Sequence, residues 1–190
     1  MDRTRADHRL AADAARGDDE AFAALVGCYR RYIYAIAYRI VLNEEDALDV
    51  SQNVLLKLAR RIGQFDRRGP FRAWLAAIAA HEVLSHRRRP EHREAATDPE
   101  DLARLAVDGR TPRPPSPRDA LERSERLERV ERAMARLTPQ QRAIFQMRLA
   151  EQMRPREIAR RMDIPAAQVR SQLSRALATL RRTLELEEKR

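Results

Sequence analysis

A single cysteine, Cys28, occurs in 190 residues, so neither a disulfide framework nor a thiolate zinc site can be built from this chain. Its place inside an apolar helical stretch predicts a buried, inert thiol. Glycines number only five, and none sits in a phosphate-gripping loop. Apolar runs are cut by arginine within a few residues and no cleavable signal sequence is visible; the expectation is a cytoplasmic protein with no membrane insertion. No Ser/His/Asp set or paired carboxylates can be found, and His81, His86 and His92 lack companions at metal-ligand spacing. The chain is therefore expected not to be an enzyme by itself and to need no cofactor or metal, its histidines being ordinary surface or ligand-facing residues. Lysine is nearly missing too, only Lys57 and Lys189. Positive charge is carried by arginine, whose planar fork suits phosphate and guanine, although a GC-rich genome gives the same bias.

What is present is charge, unevenly placed. The net charge is +9 and the pI near 10.8, which favours a polyanionic partner. From Leu137 to Arg182 ten arginines face only Glu151, Glu157 and Asp163, whereas Glu44, Glu45, Asp46 and Asp49 form an acidic patch with no base before Lys57. One end suits nucleic acid; the other suits a basic protein surface.

A chain of this length holds one or two small domains, each mostly helical if it is to bury a sufficient core. After a frayed start, residues 1 to 16 read as a short alanine-rich helix that Gly17 ends, with Asp18 or Asp19 capping the next. That next helix, from Glu20 to Leu42, carries Phe22, Leu25, Val26, Tyr29, Ile33, Ile36 and Ile40 on a bundle-facing stripe. Between Pro90 and Arg118 fall six of the ten prolines, and no apolar period survives apart from one short helix possible in DPEDLARLAVDG. This is a linker. The predicted fold is all-α, with two small helical domains at 1–89 and 120–190 joined by a flexible Pro- and charge-rich segment over 90–119.

The most specified stretch is 46–89. Asn43 caps a helix whose Ala47, Val50, Val54, Leu58 and Ile62 make a core stripe, with Asp46 as the acid of a capping box. Asp49, Gln52, Asn53 and Leu56 lie on the opposite side, and a merely solvated face has no use for that leucine. A turn, FDRRGP, leads into a helix with Phe71, Trp74, Leu75 and Ile78 inward and Arg87, Arg88 and Arg89 at its end; plain capping of the helix dipole is the simpler reading of those arginines.

The C-terminal part is punctuated as clearly. A helix from Ala120 puts Leu127, Val130, Met134 and Leu137 on one face. Thr138-Pro139-Gln140-Gln141 then supplies an N-cap, a first-position proline and a third-position glutamine, and Ile144, Met147 and Leu149 provide apolar contacts. Pro155 begins a short helix, PREIARRM, and Asp163-Ile164-Pro165 turns the chain into a longer one with Val169, Leu173, Leu177 and Leu180 buried. Two short helices, a tight turn and a longer arginine-bearing helix describe a helix-turn-helix. Gln168, Arg170, Ser171, Gln172, Ser174 and Arg175 lie opposite that stripe near the helix start, where such helices touch base edges; a solvated face on an ordinary bundle is the alternative.

DALDVSQNVLLKL followed by GQFDRRGPFRAWLAAIA resembles region 2 of bacterial RNA polymerase sigma factors of the extracytoplasmic-function group, matching at Asp46, Ala47, Asp49, Val50, Gln52, Leu56, Lys57, Trp74, Leu75, Ile78 and Ala79. RLTPQQRAIFQMRLAEQMRPREIARRMDIPAAQVRSQLSRALATLR resembles region 4 of the same group. His81 stands where the family mostly has asparagine, and Gln172 replaces a frequent arginine; Arg154 leaves an expected cap missing.

The resemblance implies three surfaces. Asp46, Asp49, Gln52, Asn53 and Leu56 would bind core RNA polymerase. Phe65, Arg67, Arg68, Ile78, His81, Arg87 and Arg88 would hold the melted minus-ten element, Phe65 as a stacking wall. Gln168, Arg170, Ser171, Gln172, Ser174 and Arg175 would read the minus-thirty-five duplex. Promoter DNA and core polymerase are the implied partners, with an anti-sigma factor or other regulator besides. A polymerase-independent helix-turn-helix regulator leaves the acidic face and the FDRRGP turn without a task. A sigma-mimicking decoy that binds an anti-sigma protein needs neither Arg170 nor Arg175.

Overall fold

Eight α-helices and one 3₁₀ turn make up the regular structure of the computed structural model, which describes residues 3–86 and 128–188. In chain order they are α1 (Arg3–Ala15), α2 (Asp19–Val41), α3 (Glu44–Arg61), a 3₁₀ turn (Ile62–Gln64), α4 (Phe71–His86), α5 (128–135), α6 (Pro139–Leu149), α7 (Pro155–Met162) and α8 (Ala166–Glu188). The 90–119 segment, the short helix expected in it, Leu127 and the arginines at 87–89 lie outside the described residues.

Local chemistry sets the boundaries. Gly17 has φ +94° and ends α1, a left-handed conformation that a side chain would strain. Asp18 then accepts the Ala21 N–H at 3.0 Å and starts α2, which closes on Leu42 in the left-handed region with its N–H on the Tyr38 carbonyl. Asn43 caps α3 through the Asp46 N–H at 2.9 Å. Thr138 and Gln141 form a reciprocal capping box, with bonds of 3.2 and 2.9 Å, at the start of α6. The missing side-chain cap at Arg154 is only half a loss, because Glu157 reaches back to accept the Arg154 N–H at 2.6 Å.

Leu25, Tyr29, Ile33 and Ile36 of α2, Val50, Val54 and Leu58 of α3, and Phe71, Leu75 and Val83 of α4 interlock in the core of the first module. That core continues without a break through Ala143, Ile144, Met147, Ile158 and Met162, so α6 and α7 pack directly onto α2 and α4. Ala133, Leu137, Ala176 and Leu180 form a second, smaller cluster between α5 and α8.

Several expected inward positions turn out otherwise. Leu177 is 53% exposed and Ala176 takes its place, because the buried stripe of α8 steps 169, 173, 176, 180 and a further residue rotates by about 100°. Leu149 ends α6 exposed, and Val130 is exposed where Ala133 packs instead. Cys28 is likewise exposed rather than buried, since it falls on the outer side of α2 between Leu25 and Tyr29. His86, expected at the surface, is buried with Nδ1 3.9 Å from Asp46 Oδ1.

Candidate functional site

The outer face of α3 is a mixed acidic and apolar patch. Asp49 and Gln52 are exposed, Leu56 is exposed, and Asn53 is half-buried. Leu48, which sequence reasoning passed over, is exposed beside them. It was legible, since it lies off the 47–50–54–58 stripe just as Leu56 does. Asp46 does not belong to this face: it is buried and turned toward His86, because its place in the first turn points it back under the α3–α4 contact. On the inner side Lys57 pairs with the enclosed Glu82 carboxylate, so its charge serves the α3–α4 seam.

The FDRRGP turn is held from behind by α1. His8 Nε2 lies 3.0 Å from the Gly69 carbonyl oxygen, and its ring meets Phe65 edge-on at 5.2 Å. Asp7 fixes α1 in turn by accepting the Tyr29 hydroxyl at 2.5 Å, and burial followed by the Asp7 interaction pushes the Tyr29 pKa upward. Phe65 is 7% exposed and packs on Phe71 at 5.2 Å and Trp74 at 5.4 Å. It is a core ring whose rim borders a cleft of about 220 Å³ shared with Ala11, Ala15, Arg16 and Arg67. Arg67 and Arg68 are exposed, Arg67 in the left-handed region at φ 58° and Arg68 with its N–H on Asp66 at 3.1 Å. Ile78 is buried and His81, one turn on, is exposed.

His81 does not look out onto solvent alone. Its Nε2 is 2.5 Å from the Arg161 carbonyl oxygen at the end of α7, and the Arg161 guanidinium lies against Gly69 of the turn. Burial lowers the Arg161 pKa, with Asp66 and Glu157 acting against that shift. At the other end of α4, Glu151 accepts from Tyr32 and Arg72. The minus-ten residues expected on α4 are thus brought together and then met by α7. Sequence periodicity gives no sign of this, because contacts between remote segments leave no local pattern.

On α8 the residues named from sequence share one stretch near the helix start. Gln168, Arg170, Ser171, Ser174 and Arg175 are exposed and Gln172 is half-buried, all within the first three turns. α8 rests on α6 and α7 through its inner stripe, so the junction with the first module leaves this face open. Among the described residues, no group of three or more metal-ligating side chains occurs and no helix is long and apolar enough to cross a membrane.

An acidic helix, a turn leading into α4 and a helix-turn-helix follow one another in the order found in one class of transcription initiation factors. Residues 25–93 match the family description Sigma-70 region 2, and residues 127–180 match Sigma-70, region 4. The chain belongs to the sigma factors, in the extracytoplasmic-function group. It is 31% identical over 181 residues to the "Probable RNA polymerase sigma factor RfaY" of Xanthomonas campestris pv. campestris, covering 93% of this chain and 44% of that one. It is 30% identical over 172 residues to the ECF RNA polymerase sigma factor BldN of Streptomyces coelicolor, covering 90% of this chain and 63% of that one. It therefore spans less than two thirds of either relative. The structure of CnrH in complex with the cytosolic domain of CnrY superposes with a TM-score of 0.61 at 25% identity, covering 95% of this chain and 98% of CnrH.

Proposed function

We propose that this chain is a promoter-specificity subunit that joins core RNA polymerase, directs it to a two-part promoter and assists melting. The observation that carries the reading is the pairing of an exposed, acidic and apolar α3 face with an open base-reading face on α8, within one chain. Leu48, Asp49, Gln52 and Leu56 dock on a basic polymerase surface, Asn53 at their edge. The N-terminal module, residues 1–89, carries this contact and the minus-ten contact, the segment 90–119 links, and residues 120–190 carry the minus-thirty-five contact. Arg170, Ser171 and Arg175 read the duplex in the major groove while neighbouring arginines hold phosphates. The turn at Arg67 and Arg68 and the α4 residue His81 meet the melted strand.

The protein acts in the cytoplasm and does no covalent chemistry of its own. CnrH is held by the cytosolic domain of a second protein, and this supports a regulatory protein of the anti-sigma kind as a partner here. Run-off transcription from a library of genomic fragments, with core polymerase and the purified chain, is the test. Transcripts that need the chain are expected, and none above core polymerase alone would sink the reading.

A further inference from the structure

Glu151 stands in the turn after α6, and only 3% of its side chain is exposed. What encloses it comes from the other module. Its Oε1 accepts from the Tyr32 hydroxyl at 2.5 Å and from Arg72 Nε at 3.1 Å, and the Arg72 guanidinium stacks 4.2 Å over the Tyr32 ring. Burial first, and the Glu151 charge second, raise the Tyr32 pKa, so the hydroxyl remains a donor. A stacked ring and guanidinium converge on one oxyanion, with little freedom left to lose on binding it.

To such a pair of donors a carboxylate oxygen and a phosphodiester oxygen are the same kind of acceptor. Arg72 is nine residues before His81 on α4, about 14 Å along the axis. Both are covered from the second module, Arg72 by the Glu151 carboxylate and His81 by the Arg161 carbonyl. The surface that would take a single strand is thus occupied at two points by groups that a strand could replace, an anion at one and a polar oxygen at the other.

The geometry points to a phosphate site at Arg72 and Tyr32 that takes the backbone of the melted DNA strand, filled in this conformation by Glu151 as an intramolecular stand-in. The inference rests on the reading of α4 as the strand-binding surface. Displacement of the second module frees the two donors, a strand phosphate replaces the carboxylate, and no bond is made or broken. Glu151 and single-stranded DNA are then competitors for one site.

Fluorescence anisotropy of a labelled oligo-dT strand with the full chain, at fixed salt and without polymerase, tests the competition. Glu151→Ala is expected to bind roughly five- to ten-fold tighter than the wild type, the scale of one net hydrogen bond removed from competition. Arg72→Gln breaks the same latch from the other side but is expected to show no gain. Placed in the Glu151→Ala background it should cancel the gain and lower the salt slope by about 0.7. Tyr32→Phe, which keeps the ring and removes one donor, should cancel part of it. Thermal melts accompany each variant, and Glu151→Gln carries the comparison if the alanine variant does not fold. An equal gain from Arg72→Gln would mean that opening alone exposes the strand surface, which overturns the site. Unchanged affinity in Glu151→Ala overturns it as well. Because the probe carries no promoter and the assay no polymerase, failure of run-off transcription leaves these outcomes readable.

Discussion

Arg142 Nε donates to the carbonyl oxygen of Ile40 at 2.7 Å, and the same guanidinium donates through Nη1 to Leu137 at 2.8 Å. One buried arginine, 4% exposed, thereby serves an unpaired carbonyl in the last turn of α2 and the loop before α6. Arg142→Ala strands both acceptors. It should cost about 3 kcal/mol and lower the melting temperature by about 10 °C, whereas exposed Arg181→Ala should leave it unchanged. Equal melts for the two variants would show that the junction does not depend on this contact.

Phe65→Ala is expected to act first on stability. A ring enclosed by His8, Phe71 and Trp74 costs about 3 to 5 kcal/mol on truncation, more than the 1 to 3 kcal/mol or so of a single base stack. Calorimetry separates the two: a variant that melts like the wild type but loses strand binding would restore Phe65 to the role of a stacking wall.

Asp49→Arg combined with Gln52→Ala should leave a folded chain that no longer co-purifies with core polymerase. Both side chains are exposed on α3, so the melting temperature is expected to hold, and one reversed interfacial charge should cost a few kcal/mol, about 2 to 5. Retained co-purification would remove α3 from the polymerase contact.

Arg170→Ala and Arg175→Ala should each cost about 1 to 3 kcal/mol on the specific duplex if the arginine grips a guanine, with preference relaxed at one position. Equal weakening on all sequences in a binding selection would make that arginine a phosphate contact only.

His81→Asn is expected to shift base preference at one minus-ten position. Neutral imidazole presents its donor and acceptor on opposite ring edges, whereas the amide presents both at one end. Selection from a randomised minus-ten library compares the two proteins, and identical preferences would return His81 to a surface residue that only meets Arg161.

The helices were legible because their ends are chemical: Asn43, Thr138, Pro139 and Pro155 cap or start helices where the sequence says they should. The exposed polar face at the start of α8 was legible for the same kind of reason, since it needs only the helical period and polar residues off the stripe. The burial of Phe65 and Asp46 and the exposure of Cys28 were not legible, because each depends on what distant parts of the chain place beside it. His8 comes from 57 positions before Phe65 and meets its ring; His86, 40 positions on, lies against Asp46; among the described residues no α-helix covers Cys28, which a run of apolar letters could not reveal. Arg72 and Tyr32 went unremarked in sequence, and Glu151 was noted only as one of few acids among arginines, for want of any local spacing that joins residues 79 and 119 positions apart.

The polar face at the start of α8 lies outside the junction, while Arg72 and His81 of α4 meet Glu151 and Arg161 across it; if the two faces take duplex and strand as proposed, the packing sets them in order. On that proposal duplex would be scanned by the closed molecule, and the strand phosphate at Arg72 would be taken only by an opened one. Promoter search and strand capture are then separate stages: the first is a matter of diffusion along double helix, and the second waits on a hinge. A chain so arranged would be protected from idle capture of any stray single strand it meets during the search.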